Sequence, residues 1–313
     1  MAKVAYSKPA LSYAQQLQQL KDRGLTIDND AKALHVLEHV SYYRLSGYWY
    51  PLLADKTNHI FKPDAKFDTA FQIYCFDRKL RQLTMSEIEK IEIAVRAKMI
   101  YVLSHKHGAF WFQNTAIFKN PGAHGRSLAR ISDEYDRSDE QFVTAYESKY
   151  SDPLPPSWIT MEITSFGTLS MLYQNLKSSR DRRDIAVHFG LSDTVFESWL
   201  HSIVYLRNLC AHHSRMWNRA MSISPLHPHN PHKQWLINTA VSNRKAYYML
   251  SIISYFLQTA NPHHTFHKKF KQLLIAHPTI DPGALGCPVN WEQEPLWGFV
   301  AASAATPAAP PAT

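Results

Sequence analysis

Apolar residues recur at the period of an α-helix along nearly the whole of this chain, and that period limits the fold more than any single motif does. Leu11 to Arg23 is amphipathic, with Leu17 and Leu20 inward, and is stopped by Gly24. Asp28 or Asn29 can cap a second helix that carries Ala33, Leu34, Leu37 and Val40 on one side. Ser41 to Leu53 gathers five aromatic residues around Arg44 and a lone Gly47, and residues 54–66 read as a loop or short hairpin. From Phe67 to about His105, Leu80, Ile88, Ile91 and Val95 repeat at helical spacing, and Glu92 with Arg96 forms an i,i+4 pair.

Further along, KNPGAHGR at 119–126 reads as a break, a charged segment runs to Tyr150, and DPLPP at 152–156 halts any helix. Helical spacing resumes from Trp158 to Leu176. SSRDRRD at 178–184 reads as a basic turn leading to a helix near Ile185. Thr194 to about Arg219 reads as one helix, with Thr194 and Glu197 spaced as a capping box. After a loop at 225–232, Gln234 to Gln258 reads as a long helix and 265–276 as a terminal one, before a tail of disordered composition, SAATPAAPPAT. There is no internal repeat and no strand-dense region, so the expected fold is all-α. Its expected organisation is an N-terminal helical region at 1–66, a core at 67–262, a C-terminal helical extension at 263–300 and the tail at 301–313, connected as one body rather than as two clean domains.

With 313 residues, 45% of them hydrophobic, the chain can bury a substantial core, and its 10 glycines argue against a Gly-rich phosphate loop. No uncharged apolar run approaches the ~20 residues of a membrane span. The start, MAKVAYSKPALSYAQQ, offers no apolar stretch after its basic residues, so no signal peptide is expected. Cys75, Cys210 and Cys287 are odd in number and far apart, which disfavours a disulfide framework or a cysteine zinc site and fits a reducing cytoplasm. Thirty-four basic against 26 acidic residues give a net charge of +8, with 17 histidines in reserve. That balance favours a polyanionic partner, nucleic acid first.

The chemistry concentrates in RNLCAHHSRMWNR, residues 207–219. At roughly 100° per residue, with Phe196 as zero, Trp199, Leu200, Ile203, Val204, Leu206 and Cys210 form an apolar stripe. Asn208, His212, Arg215 and Arg219 form a polar stripe at its edge. Arg207 falls in the middle of the apolar stripe. A guanidinium there must be paired, or must face a cleft or a second subunit, because an unpaired buried charge is very costly. Arg207 and His212 diverge by roughly 140°, so one straight helix does not aim both at one atom; two such helices about a two-fold axis can.

Arg207-Asn208-Leu209-Cys210-Ala211-His212 resembles the R-x(4–6)-H motif of HEPN ribonucleases, and the extended segment to Arg219 resembles abortive-infection proteins of the AbiD/AbiF type, the Abi-like family. SYYRLSGYWYPL at 41–52 and FDRKLRQLTMSEIEKIEIAVRAKM at 76–99 resemble that family's N-terminal signature and central helix, so the likeness covers about 11–219. It implies a HEPN-type helical bundle with additional N- and C-terminal helices, acting as a metal-independent endoribonuclease in anti-phage defence. It also implies a homodimer joined through the motif helices, and toxin-like control by a partner: a small structured non-coding RNA or an antitoxin.

In this reading a ribose 2′-hydroxyl attacks the neighbouring phosphorus. His212 serves as acid or base, Arg207 stabilises the developing charge and Asn208 orients the histidine or phosphate. Such chemistry spares DNA. His213, Arg215 and Arg219 are further RNA contacts.

Elsewhere, Arg44 and Tyr43 are candidates to hold RNA, with Tyr42, Tyr48 and Trp49 as stacking partners or as core. Arg180, Arg182 and Arg183 could touch phosphates or be solvated charge; Arg126 and Arg130 are weaker candidates of the same kind. The histidines at 227, 229 and 232, and at 263, 264 and 267, invite a metal, but zinc sites need ordered ligands and usually a carboxylate or cysteine, and the first cluster sits in a Pro-rich loop without either, so no metal or cofactor is expected. The alternative function is a non-catalytic RNA-binding module using the same basic helix. A nucleotidyl- or ADP-ribosyl-type transferase is disfavoured by the missing glycine loop and carboxylate pair.

Overall fold

The computed structural model of the chain describes residues 5–298. These are mainly helical, with one two-stranded sheet among the described residues. The chain divides into two compact units: residues up to Arg81 together with Leu273–Asp281, and Gln82–Gln272 together with the residues from Pro282. None of the described helices is long and apolar enough to cross a membrane. The expected tail at 301–313 lies outside the described residues.

In the first unit, α1 (Tyr13–Asp22) buries Leu17 and Leu20 and opens on a Ser12–Gln15 capping box. Gly24, at φ +86°, turns the chain after it in the left-handed region that glycine tolerates. Asn29 caps α2 (Asp30–Val40) by accepting from the Lys32 N–H, and Ala33, Val36 and Leu37 are its buried residues. Ser41 then caps α3 (Tyr42–Trp49), which buries Leu45, Tyr48 and Trp49. Arg44 and Tyr43 are both exposed on this helix. The hairpin anticipated at 54–66 is β1 (Leu53–Asp55) paired antiparallel with β2 (Ile60–Phe61). The helix α4 (Phe67–His107) contributes to both units, residues to Arg81 to the first and those from Gln82 to the second. In the first unit its Asp77 and Arg81 form a buried ion pair, and Asp77 also accepts from the Tyr48 hydroxyl at 2.8 Å.

The second unit holds the rest of α4, where Ile88, Ile91 and Val95 are buried as their spacing requires and Arg96 pairs with Glu92 at 2.8 Å. The expected break at 119–126 is instead the start of α5 (Pro121–Asp136). Asn120 caps it and Pro121 takes the first position, where its missing N–H is no loss. After α6 (Gln141–Glu147), the stretch 158–176 is two helices, α7 (Ser157–Ile163) and α8 (Phe166–Asn175), because Ser165 caps the second afresh. The basic turn at 178–184 is likewise a helix, α9 (Ser179–Ala186), nucleated by Ser178 accepting from the Asp181 N–H at 3.1 Å.

Next come α10 (Asp193–Ala211), α11 (Ala246–Ala260) and α12 (Phe266–Ile275). The helix expected from Gln234 begins only at Ala246. Upstream, the N–H groups of Ile237 and Asn238 are bound by the Glu294 carboxylate, and Asn238 accepts from the Ala240 N–H, so side chains take the bonds a helix would use. Around α10 the core is aromatic: Phe196 packs on Tyr173, Phe189 and Phe256, and Trp199 on Trp235 and Tyr255. Trp235 is half-buried, and each of the other rings, fully buried, contributes roughly 1.5–3 kcal/mol.

Candidate functional site

The helix α10 packs against α8, α9 and α11 in the second unit. Its N-cap is Ser192, which accepts from the Val195 N–H, rather than Thr194; Asp193 then sits in the first turn, where a carboxylate suits the positive end of the helix dipole. Every residue of the expected apolar stripe is buried: Phe196, Trp199, Leu200, Ile203, Val204, Leu206 and Cys210.

The helix does not run to Arg219. It stops at Ala211, with His212 as its C-cap. The His213 N–H donates to the Cys210 carbonyl at 3.0 Å and the Ser214 N–H to the Leu209 carbonyl at 2.9 Å, the paired bonds of a Schellman turn. His213 occupies the left-handed position usually taken by glycine, at φ +56°. Met216, Trp217 and Met221 are buried beyond it and anchor the returning chain.

The polar stripe is therefore built in two ways. Asn208 and His212 are exposed on the end of α10 itself. Arg215 and Arg219 lie on the returning segment, where Arg219 donates to the Arg215 carbonyl at 3.4 Å. The same segment approaches Tyr205, whose hydroxyl accepts from the Ser222 N–H at 3.3 Å. Burial pushes the Tyr205 phenol up, but the Ser222 hydrogen bond and the Arg219 guanidinium bring it below its ordinary range. Tyr205 precedes His212 by seven residues, almost two helical turns, and so shares its face. That spacing is the one signal in the sequence that points to Tyr205, which lies outside the R-x4-H motif.

Arg207 is half-buried, and its polar neighbour is Asn208, 3.5 Å from its guanidinium. Among the described residues no carboxylate pairs with it. It lines a cleft of about 400 Å³ shared with Ser86, Glu89, Glu92, Ile93 and Arg96 of α4. Glu92 is committed to Arg96, which also donates to the Thr164 carbonyl, whereas Glu89 is exposed at the cleft. Ile93 is 55% exposed at the same cleft, and the α4 stripe continues through Ala97 to Tyr101, 60% exposed. An apolar stripe thus flanks the mouth of the arginine cleft.

The remaining candidates are scattered. Arg182 is matched by Asp193 at 3.4 Å and Glu197 at 3.2 Å. Arg183 lines a separate cleft of about 280 Å³ with His229 and His232, and Arg180 is exposed. Arg126 and Arg130 are exposed on α5, with Arg130 against the Met171 sulfur. Tyr43 lies in the first unit, on the wall of a groove that Arg44 does not line. His227 contacts the Tyr248 hydroxyl. Burial, with the neighbouring His267, pushes His264 down to about 4. Among the described residues no group of three or more His, Cys, Asp or Glu is placed to hold a metal.

The model of the family described as Abi-like protein matches residues 35–218, which takes in the SYYRLSGYW segment, α4 and the whole of α10 with its terminal histidine. No curated protein and no solved structure matches the chain.

Proposed function

This chain belongs to the Abi-like protein family, and on that premise we propose that it is a metal-independent HEPN-type endoribonuclease acting in abortive infection, the anti-phage defence to which the family name points. The observation that carries the proposal is the state of Arg207: a half-buried guanidinium with no carboxylate partner among the described residues, facing a cleft, five residues from an exposed imidazole at the end of the same helix.

Five residues advance about 7.5 Å along the helix. The side chains also point apart, so a site combining them is most readily composed across two copies of α10. The exposed stripe of Ile93, Ala97 and Tyr101 beside the cleft supplies apolar surface for a second protomer to cover. In the composite site the ribose 2′-oxygen bonds to phosphorus as the bond to the 5′-oxygen breaks. One proton leaves the 2′-hydroxyl for a base, and another reaches the departing 5′-oxygen. His212 fills one of these roles and Arg207 holds the charge that builds on the non-bridging oxygens. Asn208, exposed one turn before His212, orients the imidazole or the phosphate. The net charge of +8 favours a polyanionic regulator as well as substrate, and a structured RNA that holds the enzyme inactive fits it.

Labelled total RNA incubated with wild type and with His212→Ala in excess EDTA tests the proposal. Wild type should leave 2′,3′-cyclic phosphate and 5′-hydroxyl ends, and the variant none. Equal cleavage by both removes His212 from the mechanism. Absence of cleavage with RNA affinity dependent on Arg207 favours the non-catalytic binding module.

A further inference from the structure

In the first unit, α1, α3 and the β1–β2 hairpin surround a groove of about 840 Å³, within the size range of ligand sites. Its wall carries Lys8, Arg23 and His59, and no aspartate or glutamate among the described residues. Arg23 is half-buried and donates to the Tyr42 hydroxyl at 2.7 Å, and neither it nor Lys8 forms an ion pair among the described residues. Two tyrosines on the wall are almost bare: Tyr43 is 89% exposed and Tyr6 84%. Gln16 adds an amide whose oxygen has no donor among the described residues.

Lys8 and Arg23 share this wall with no ion-pair partner among the described residues, so the wall suits a polyanion rather than a peptide of ordinary charge. Exposed rings beside cations match the way single strands are held, with bases on aromatic faces and phosphates on basic side chains. Paired bases in a duplex cannot reach such rings. Lys8 and Arg23 stand on separate segments, and no Gly-rich backbone cradle closes on one phosphate, which favours an extended strand over a mononucleotide.

We infer that this groove binds a single-stranded segment of RNA, stacking bases on Tyr43 and Tyr6 and meeting phosphates with Arg23 and Lys8. The choice of RNA over DNA rests on the ribonuclease reading; the groove is otherwise independent of Arg207 and His212.

The test is the affinity of the full-length protein for a fluorescent, 2′-O-methylated single strand of about a dozen nucleotides, a length suited to a groove of this kind and one that cannot be cleaved by 2′-hydroxyl attack. Tyr43→Ala removes an exposed ring and Lys8→Glu reverses an exposed charge, so neither endangers folding. Each should weaken binding about fivefold or more, with a smaller salt dependence for Lys8→Glu. Affinities within twofold of wild type for both variants would overturn the inference, and would leave the cleavage assay in EDTA to judge the ribonuclease reading separately. Equal or tighter binding of the corresponding duplex, or displacement of the strand by adenosine monophosphate at concentrations near the strand's own dissociation constant, would overturn it too. Tyr43-dependent binding by a protein that cleaves nothing would uphold the groove and refute only the nuclease.

Discussion

The backbone N–H of His212 donates to the carbonyl of Asn208 at 2.9 Å, so the last α-helical turn of α10 closes between two of the candidate site residues. The chain then turns a left-handed corner at His213. A residue with a side chain gives up about 1–2 kcal/mol there, part of which glycine returns through its freer unfolded chain. His213→Gly should therefore be more stable than His213→Ala, which keeps the strained corner, by about 0.5–1 kcal/mol, read as a higher urea midpoint at unchanged slope.

If one protomer supplies the guanidinium and its partner the imidazole, two dead variants should complement. Mixing Arg207→Ala with His212→Ala and allowing exchange makes half of the dimers mixed, each with one intact site of two, and restores about a quarter of the wild-type rate. Adding Ile93→Asp to both variants should abolish the rescue by charging the exposed stripe beside the cleft. Activity that never returns on mixing would place both groups in one protomer.

Arg207→Lys keeps the charge and loses the fork that can bind two phosphate oxygens. Turnover should fall on the order of 100-fold, the usual cost of losing a transition-state donor. Because no carboxylate among the described residues pairs with Arg207, its stability should change by less than about 1 kcal/mol, against the 3–5 kcal/mol lost when a buried ion pair is broken. A loss of the larger size would make the arginine structural.

That larger loss belongs to the first unit. Asp77 is fully buried, Arg81 is 5% exposed, and Tyr48 donates to the same carboxylate. Asp77→Ala should destabilise the protein by about 3–5 kcal/mol. The same tyrosine phenol is pushed well up, by burial first and then by the carboxylate.

His264 is held down to about 4 by burial and by His267, against an ordinary 6.5. The unfolded chain therefore binds more protons than the folded one between pH 6.5 and 4. Stability is full above 6.5 and falls as pH drops through that window, by on the order of 3 kcal/mol at its foot. His264→Gln should flatten the dependence of the urea midpoint on pH between 4 and 7. An unchanged profile would assign the acid sensitivity to other groups.

The all-α fold was legible because burial follows the apolar period: the stripe from Phe196 to Cys210 and the spacing of Ile88, Ile91 and Val95 hold residue for residue. Helix starts were less so. Asn120–Pro121 and Ser178 are ordinary caps, but glycines at 122 and 125 and a dense run of arginines masked the helices behind them. The end of α10 carries no glycine or proline, since a histidine takes the left-handed position, and the local pattern therefore reads on to Arg219. Tyr205 meets Ser222 and Arg219 only because the chain doubles back, and no local pattern encodes that. The state of Arg207 was half-legible: its place in an apolar stripe demanded a partner or a cleft, and the fold supplies the cleft.

Arg207 and His212 both inherit their positions from one helix, whose last turn closes on His212. The segment that carries Arg215 and Arg219 joins that helix through the left-handed corner at His213. Drift beyond the corner can therefore re-aim the two outer cations while the guanidinium and the imidazole stay where α10 puts them.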